Sequence, residues 1–303
     1  MFRDLPDLLE PGDLVVVNRS RVFKARLLGT RRGGGRAEVL LVRPLDDDLW
    51  EAMVRPGRRL RAGTRVRVDD ALEVEILETP PLADGRRQVR LLARSGDVAG
   101  ELERLGHVPL PPYIRRPDGP HDRARYQTVY ARESGSVAAP TAGLHFTEGL
   151  LEQLHERGIE RAEVVLHVGP GTFRPVQVDD VADHTVPPEP FLVPEATATA
   201  IARAHARGRR VVAVGTTTTR VLEARADYSG RVAAGEGETA LVIVPPFPFR
   251  VVQALVTNFH LPRSSLLFLV SAFAGRERIL AAYAEALRDG YRFYSYGDAM
   301  LIL

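Results

Sequence analysis

The chain carries two hydrophobic rhythms in succession. Between Asp13 and Arg94 the apolar residues come in short runs: Leu14 to Val17, Ala37 to Val42, Leu49 to Val54, Thr64 to Val68, Leu72 to Ile76 and Gln88 to Leu92. TRVRV at 64–68 alternates as a half-buried strand does. Arg55-Pro56-Gly57, Asp84-Gly85 and the glycines at 33–35 supply the breaks between runs. Short strands at this spacing predict an antiparallel barrel or sandwich. A helix over Val98 to Leu105, closed by Gly106, leads into the proline-rich stretch HVPLPPYIRRP, which reads as an extended connector.

After the connector the period lengthens. Thr147 caps a predicted helix through Arg157 that stops at Gly158, Ala162 to Val168 reads as a strand, and Pro194 to Arg207 as an alanine-rich helix stopping at Gly208. Then follow a strand at Arg210 to Val214, a helix at Thr217 to Ala226, strands at Ala240 to Val244 and Val251 to Thr257, and helices at Arg263 to Phe273 and Glu277 to Arg288. The sheet is expected to close at Phe293 to Tyr296 or Ala299 to Leu303. Strands alternating with helices predict a layered α/β domain. No internal repeat or low-complexity segment interrupts it.

Composition narrows the function classes. A hydrophobic content of 45% with 26% charged residues belongs to a soluble globular protein, and 303 residues allow two domains. No apolar run reaches membrane-spanning length, and Met1 to Asp7 carry no export signal, so a cytoplasmic protein without a membrane partner is expected. A monomer is expected as well. With no cysteine the chain offers no thiolate nucleophile and no Cys-held zinc or iron–sulfur cluster. Lys24 is the single lysine among 41 basic residues, which argues against Schiff-base chemistry. The net charge is +2, yet Arg19 to Ser95 alone holds 18 Lys and Arg against 11 Asp and Glu. Such asymmetry suits a polyanionic partner or, equally, a solvated barrel surface.

Three predicted strands end in polar, glycine-bearing segments: LHVGPGTFRPV, VGTTTTR and VTNFHLPRSS. Ligands of open α/β sheets lie beyond the carboxyl ends of the strands, so these segments are expected to converge on one pocket. Gly215 and four threonines open the helix containing Arg220, where backbone N–H groups, hydroxyls and a guanidinium can meet a carboxylate or phosphate. A threonine N-cap beside a solvent-facing arginine is the plainer alternative. Of eight histidines, His145, His167, His184 and His260 sit in unusual polar contexts. None pairs at metal-ligand spacing, so no metal is expected and proton transfer suits them better, although most histidines serve structure alone. G-x-S-x-G, Walker A and G-x-G-x-x-G motifs are missing from their proper settings, which demotes an ordinary Rossmann methyltransferase.

Taken together, SVAAPTAGLHFT at 136–147, LHVGPGTFRPV at 166–176, TNFHLPRSSLLFLVSAFAGRE at 257–277 and YRFYSYGDAMLI at 291–302 resemble the S-adenosylmethionine:tRNA ribosyltransferase-isomerase family of queuosine biosynthesis. PGDLVVVNRSRV at 11–22 and LPPYIRRP at 110–117 agree, so the likeness runs through nearly the whole chain. It implies a three-layer α/β/α domain (1–22 and 106–303) carrying an inserted antiparallel β-barrel (23–105). It also implies a reaction: the ribosyl part of S-adenosylmethionine is transferred to 7-aminomethyl-7-deazaguanine in tRNA, giving epoxyqueuosine-tRNA, adenine and methionine. S-adenosylmethionine is then a co-substrate and no cofactor is required. On this resemblance His145 or His167 is the expected general base, with His260 and Asp298 protonating or orienting adenine. Thr141, Phe146, Arg174, Thr217, Arg220 and Asn258 are expected to line the substrate site. Arg58, Arg59, Arg61, Arg115 and Arg116 are expected on tRNA phosphates, with Tyr113 or Tyr126 stacking on an unpaired base. Two departures accompany the match: the family's opening segment ahead of PGDLVVVN is expected to be missing here, and Pro187 in HTVPPEP replaces a second histidine while His184 and Glu189 remain. A noncatalytic RNA-binding protein of this fold and a methyltransferase are the rival readings.

Overall fold

The computed structural model describes residues 1–78 and 85–303. In chain order the strands are β1 (Leu14–Asn18), β2 (Ser20–Val22), β3 (Arg26–Arg31), β4 (Arg36–Pro44), β5 (Leu49–Arg55), β6 (Arg65–Arg67), β7 (Leu72–Ile76), β8 (Arg87–Ala93), β9 (Glu133–Ser136), β10 (Glu160–Leu166), β11 (Glu189–Val193), β12 (Val211–Val214), β13 (Gly235–Thr239), β14 (Ala254–Asn258) and β15 (Ala299–Ile302). The α-helices are α1 (Leu5–Leu8), α2 (Val98–Leu105), α3 (Pro120–Arg125), α4 (Glu148–Glu156), α5 (Glu195–Ala206), α6 (Thr216–Ala224), α7 (Ser265–Ala274) and α8 (Arg276–Arg288). They fall into two compact units: Met1–Arg21, Gln127–Glu133 and Ala139–Leu303 form one, while Val22–Tyr126 and Ser134–Ala138 form the other. The proline-rich connector groups with the second unit.

The first unit is built on a seven-stranded sheet in the order β13-β11-β10-β1-β12-β14-β15. The four inner strands, β10, β1, β12 and β14, run parallel, and the outer strands pair antiparallel at both edges. β1 is the run LVVVN, every residue of it buried, as a strand covered on both faces must be. Val15 and Val17 pack with Val212, Val214, Ala254 and Val256 against Leu5, Leu9, Leu150 and Leu154 from the α1 and α4 side. Leu14 and Val16 alternate to the other face, where α5 and α6 pack on β1, β10 and β12. Helices on both faces of the sheet give three layers. Because the chain goes from β1 to β10 on one side and later to β12 on the other, the order of strand addition switches at β1, the place where a crevice opens at the carboxyl ends of parallel strands.

The second unit is a closed barrel, β3-β4-β5-β8-β7-β6. Its strands alternate inward and outward; in β7, Leu72, Val74 and Ile76 are fully buried, and they join Leu27, Val39, Leu41, Val66, Val89 and Leu91 inside. Leu102 of α2 completes that core. Closure brings β3 against β6, where a Cβ on Gly29 would stand 2.5 Å from the Arg67 carbonyl oxygen, so only glycine lets the two strands pair.

Several expectations change. β3 closes the barrel although RLLGTR gives no clear alternation, and Leu28 on it is 44% exposed. Residues 240–244 form no strand; the edge partner of β11 is instead GEGET at 235–239, whose Gly237 leaves room for the Phe191 ring. β14 starts at Ala254, because the N–H groups of Arg250, Val251 and Val252 are taken by the Glu223 carboxylate rather than by a neighbouring strand. The sheet closes at 299–302, whereas 293–296 turn, with Tyr294 at φ +75°. The expected Asp84-Gly85 turn involves Asp84, which lies outside the described residues. No helix is long and apolar enough to cross a membrane among the described residues.

Candidate functional site

The crevice gathers the expected segments. A hollow of about 40 Å³ is lined by Thr141 and Ala142, by Val168, Thr172 and Phe173, by Gly215, Thr216 and Thr217, and by Thr257, Asn258 and His260. These are the residues following β10, β12 and β14, together with PTAGLHF from the 3₁₀ turn Thr141–His145. Asn18, at the end of β1, braces the same edge: its side chain donates to the Leu166 carbonyl and accepts from the Leu166 and Ser20 N–H groups.

Asn258 links two halves of this region. Its Oδ1 accepts from the Thr141 hydroxyl at 3.0 Å, while its Nδ2 lies 3.1 Å from His145 Nε2 and 3.5 Å from the Asp298 carbonyl oxygen. His145 stacks on Phe2, centroids 4.9 Å apart, and faces a second, larger hollow of about 470 Å³ that includes Asp298, Tyr291 and Val256. Burial holds the His145 imidazole below its ordinary range, partly offset by the Asp298 charge and reinforced by Arg292. The Asp298 carboxylate accepts from the Arg292 N–H at 2.7 Å. His260, by contrast, belongs to the smaller hollow. Its Nε2 is 2.7 Å from Thr257 Oγ1, its backbone N–H donates to the Tyr283 hydroxyl, and burial pushes its imidazole down to about 4. His260 is therefore neutral at physiological pH.

At α6, Gly215 adopts φ +87° and its N–H donates to the Val256 carbonyl, which aims the helix axis into the hollow. Thr218 and Thr219 turn their hydroxyls back onto the carbonyls of Val214 and Gly215. The Thr217 hydroxyl is different: it is buried and has no hydrogen-bond partner among the described residues, and Thr217 lines the hollow. The N–H groups of a helix's first turn and an unsatisfied hydroxyl are the groups that can receive a small anion. Among the described residues no cluster of three or more His, Cys, Asp or Glu is arranged to hold a metal ion.

Other expected site residues lie elsewhere. Arg220 is turned away from the hollow: it pairs with the buried Glu189 carboxylate and donates to the carbonyls of Leu241 and Thr239. Glu189 in turn accepts from the Gly169 N–H at 2.8 Å, so the pair fixes the start of the GPGTF turn. Phe146 is a core residue, 2% exposed and edge-on to Phe2 and Tyr130, because its place after the 3₁₀ turn points it beneath the sheet. Arg174 is exposed and it is its neighbour Phe173 that lines the hollow. His167 sits one residue before Val168 and so on the opposite face of the strand end. It lines a separate hollow with Glu133 and Phe191, and burial lowers its imidazole. In the barrel unit Arg58, Arg59, Arg61 and Arg115 are exposed, Tyr113 is half-buried and Tyr126 is fully buried, which removes Tyr126 as a stacking platform. Arg116 makes a two-bond ion pair with Asp122, at 2.6 and 2.9 Å. Thr172, Thr257 and Glu189 were not singled out from sequence as site residues; their signal was no more than a place within the polar strand-end segments.

A seven-stranded α/β/α layer with a strand-end site, joined in one chain to a closed six-stranded barrel, defines the class of protein. The profile of the queuosine biosynthesis protein family matches residues 1–302, and the chain belongs to that family. Proteins described as S-adenosylmethionine:tRNA ribosyltransferase-isomerase are similar throughout: 54% identity to that of Heliobacterium modesticaldum, covering 100% of this chain and 88% of that one, and 55% to that of Thermus thermophilus, covering 99% and 87%. A crystal structure of an S-adenosylmethionine tRNA ribosyltransferase from Thermotoga maritima aligns with a TM-score of 0.51 at 38% identity, covering 99% of this chain and 86% of that one.

Proposed function

We propose that this protein transfers and isomerises the ribosyl moiety of S-adenosylmethionine onto 7-aminomethyl-7-deazaguanine at the tRNA wobble position, releasing adenine and methionine. The observation that carries the reading is that whole-length likeness to relatives of that description coincides with an anion receptor and a histidine–amide network at the strand ends. The smaller hollow suits a carboxylate, held by the start of α6 and Thr217, and the larger one has room for the bulk of a nucleoside beside His145 and Asp298. Removing a proton next to the sulfonium and assisting departure of adenine are proton transfers in a site that excludes water. They call for no further cofactor, and S-adenosylmethionine is consumed as substrate. His260 and the carboxylate of Asp298 line different hollows, so they serve different ends of the substrate. On the barrel, Arg58, Arg59 and Arg61 after β5, with Arg115, are the phosphate contacts we propose, and Tyr113 the stacking residue. A tRNA substrate places the work in the cytoplasm.

Incubation with labelled S-adenosylmethionine and precursor-bearing tRNA tests the reading. Adenine and methionine are the expected products. S-adenosylhomocysteine would instead identify a methyltransferase, and tRNA binding with neither product a noncatalytic RNA-binding protein.

A further inference from the structure

We infer that Asn258 is a positioning residue that fixes His145 as the neutral Nδ1–H tautomer, so that His145 presents substrate with a hydrogen-bond donor and not with a base. The inference rests on the proposed reaction for the word substrate, but its structural half stands on three atoms around one amide.

The side-chain amide of Asn258 has two orientations to choose between. The Thr141 hydroxyl at 3.0 Å does not decide, because a hydroxyl donates to an oxygen or accepts from a nitrogen equally well. The Asp298 carbonyl oxygen, at the outer hydrogen-bond distance of 3.5 Å, tips the choice. It carries no hydrogen, so turning Asn258 Oδ1 toward it would set two acceptors face to face, whereas Nδ2 there donates. With Nδ2 on that side, the contact to His145 Nε2 at 3.1 Å is also a donation from Asn258. His145 Nε2 is thus an acceptor, and a neutral imidazole that accepts at one nitrogen carries its hydrogen on the other. Burial of the ring favours the neutral form. Stacking on Phe2, at an interplanar angle of 25°, fixes the ring plane, and His145 lines the 470 Å³ hollow.

The chemical consequence follows from electron pairs. The Nε2 lone pair is already engaged by Asn258, and Nδ1 bears a hydrogen, so neither nitrogen is free to accept a proton from carbon. What remains is Nδ1–H, a donor suited to a purine ring nitrogen or a ribose oxygen. The base role expected for His145 passes to another group.

Two measurements on the full-length protein test this. In ¹⁵N-labelled protein at neutral pH, with the His145 signals assigned by their loss in H145N, the ring should show the Nδ1–H pattern in wild type. In N258D the carboxylate accepts from Nε2, and the pattern should change to Nε2–H or imidazolium. A wild-type ring already protonated at Nε2 would overturn the inference. In the second measurement, adenine release by H145N, whose amide places an N–H near the Nδ1 position, should exceed that of H145A and H145Q by about tenfold. Equal rates in all three would overturn the donor role. If wild type itself releases no adenine from S-adenosylmethionine and tRNA, the proposed reaction falls while the tautomer measurement still decides the role of Asn258.

Discussion

A buried hydroxyl left without a partner costs about 1–3 kcal/mol, and Thr217 keeps one at the start of α6. Thr217→Val removes that cost in the free protein, so the unfolding midpoint should hold or rise. The same change should raise the KM for S-adenosylmethionine by about tenfold, the worth of one hydrogen bond to a charged group. A lowered midpoint with unchanged KM would make the hydroxyl structural. His260 yields a pH prediction. Its folded pKa is about 4 against an ordinary 6.5, so the unfolded chain binds the proton first as pH falls. Stability should therefore be complete above 6.5 and decline toward 4, by up to about 3 kcal/mol, with urea midpoints recording the slope and His260→Asn flattening it. Residue types were legible in sequence where the backbone required them: Gly215 followed by threonines announced a helix start, and Gly215, Thr216 and Thr217 line the smaller hollow. Arg220 was not legible, because its partner Glu189 opens β11, a short strand paired between β10 and the edge strand β13 that the hydrophobic pattern does not reveal. Nor was Phe146, since an aromatic next to a motif histidine reads the same whether it faces core or cavity.

Among the elements, the parallel strands β10, β12 and β14 and the helices between them could be read from periodicity, because burial on both faces or on one stripe leaves a pattern; β1, whose run fell in with the short strands of the barrel, could not. The edges could not. GEGET pairs through its backbone and needs no apolar side chains, while ALVIV at 240–244, apolar enough for a strand, yields its Leu241 carbonyl to Arg220. Glu223 shows how a single side chain sets an element's start: its carboxylate accepts from Arg250, Val251 and Val252 at 2.9, 3.1 and 3.0 Å just before β14. Glu223→Ala leaves those N–H groups unsatisfied and should destabilise the protein by about 3 kcal/mol in denaturant unfolding. A change under about 0.5 kcal/mol, the size of an ordinary surface substitution, would show that water replaces the carboxylate.

On the scale of the whole molecule, charge is more informative than its sum. The surplus of basic residues between Arg19 and Ser95 falls largely within the barrel unit, and Arg58, Arg59 and Arg61 stand exposed there. If they meet phosphates, replacing all three by Ala should flatten the dependence of log tRNA affinity on log salt, by about 0.7 to 0.9 for each phosphate no longer neutralised. An unchanged slope would assign them to solvent. The change of hydrophobic period near the connector announced two architectures in one chain, yet the closure of the barrel through β3 stayed hidden, since one glycine at a crowded strand crossing carries it.

The insertion also sets an order of events during synthesis. β1, the central strand, ends at Asn18, but its neighbour β10 begins only at Glu160 and so leaves the ribosome much later. At ordinary translation speeds the delay is on the order of ten seconds. Through that interval the contiguous stretch from Val22 to Tyr126 is already available to close as a barrel, while LVVVN waits with both of its edges unpaired. The nascent chain then carries a barrel that still awaits Val137 and one apolar ribbon whose open edges can pair with other copies of the chain.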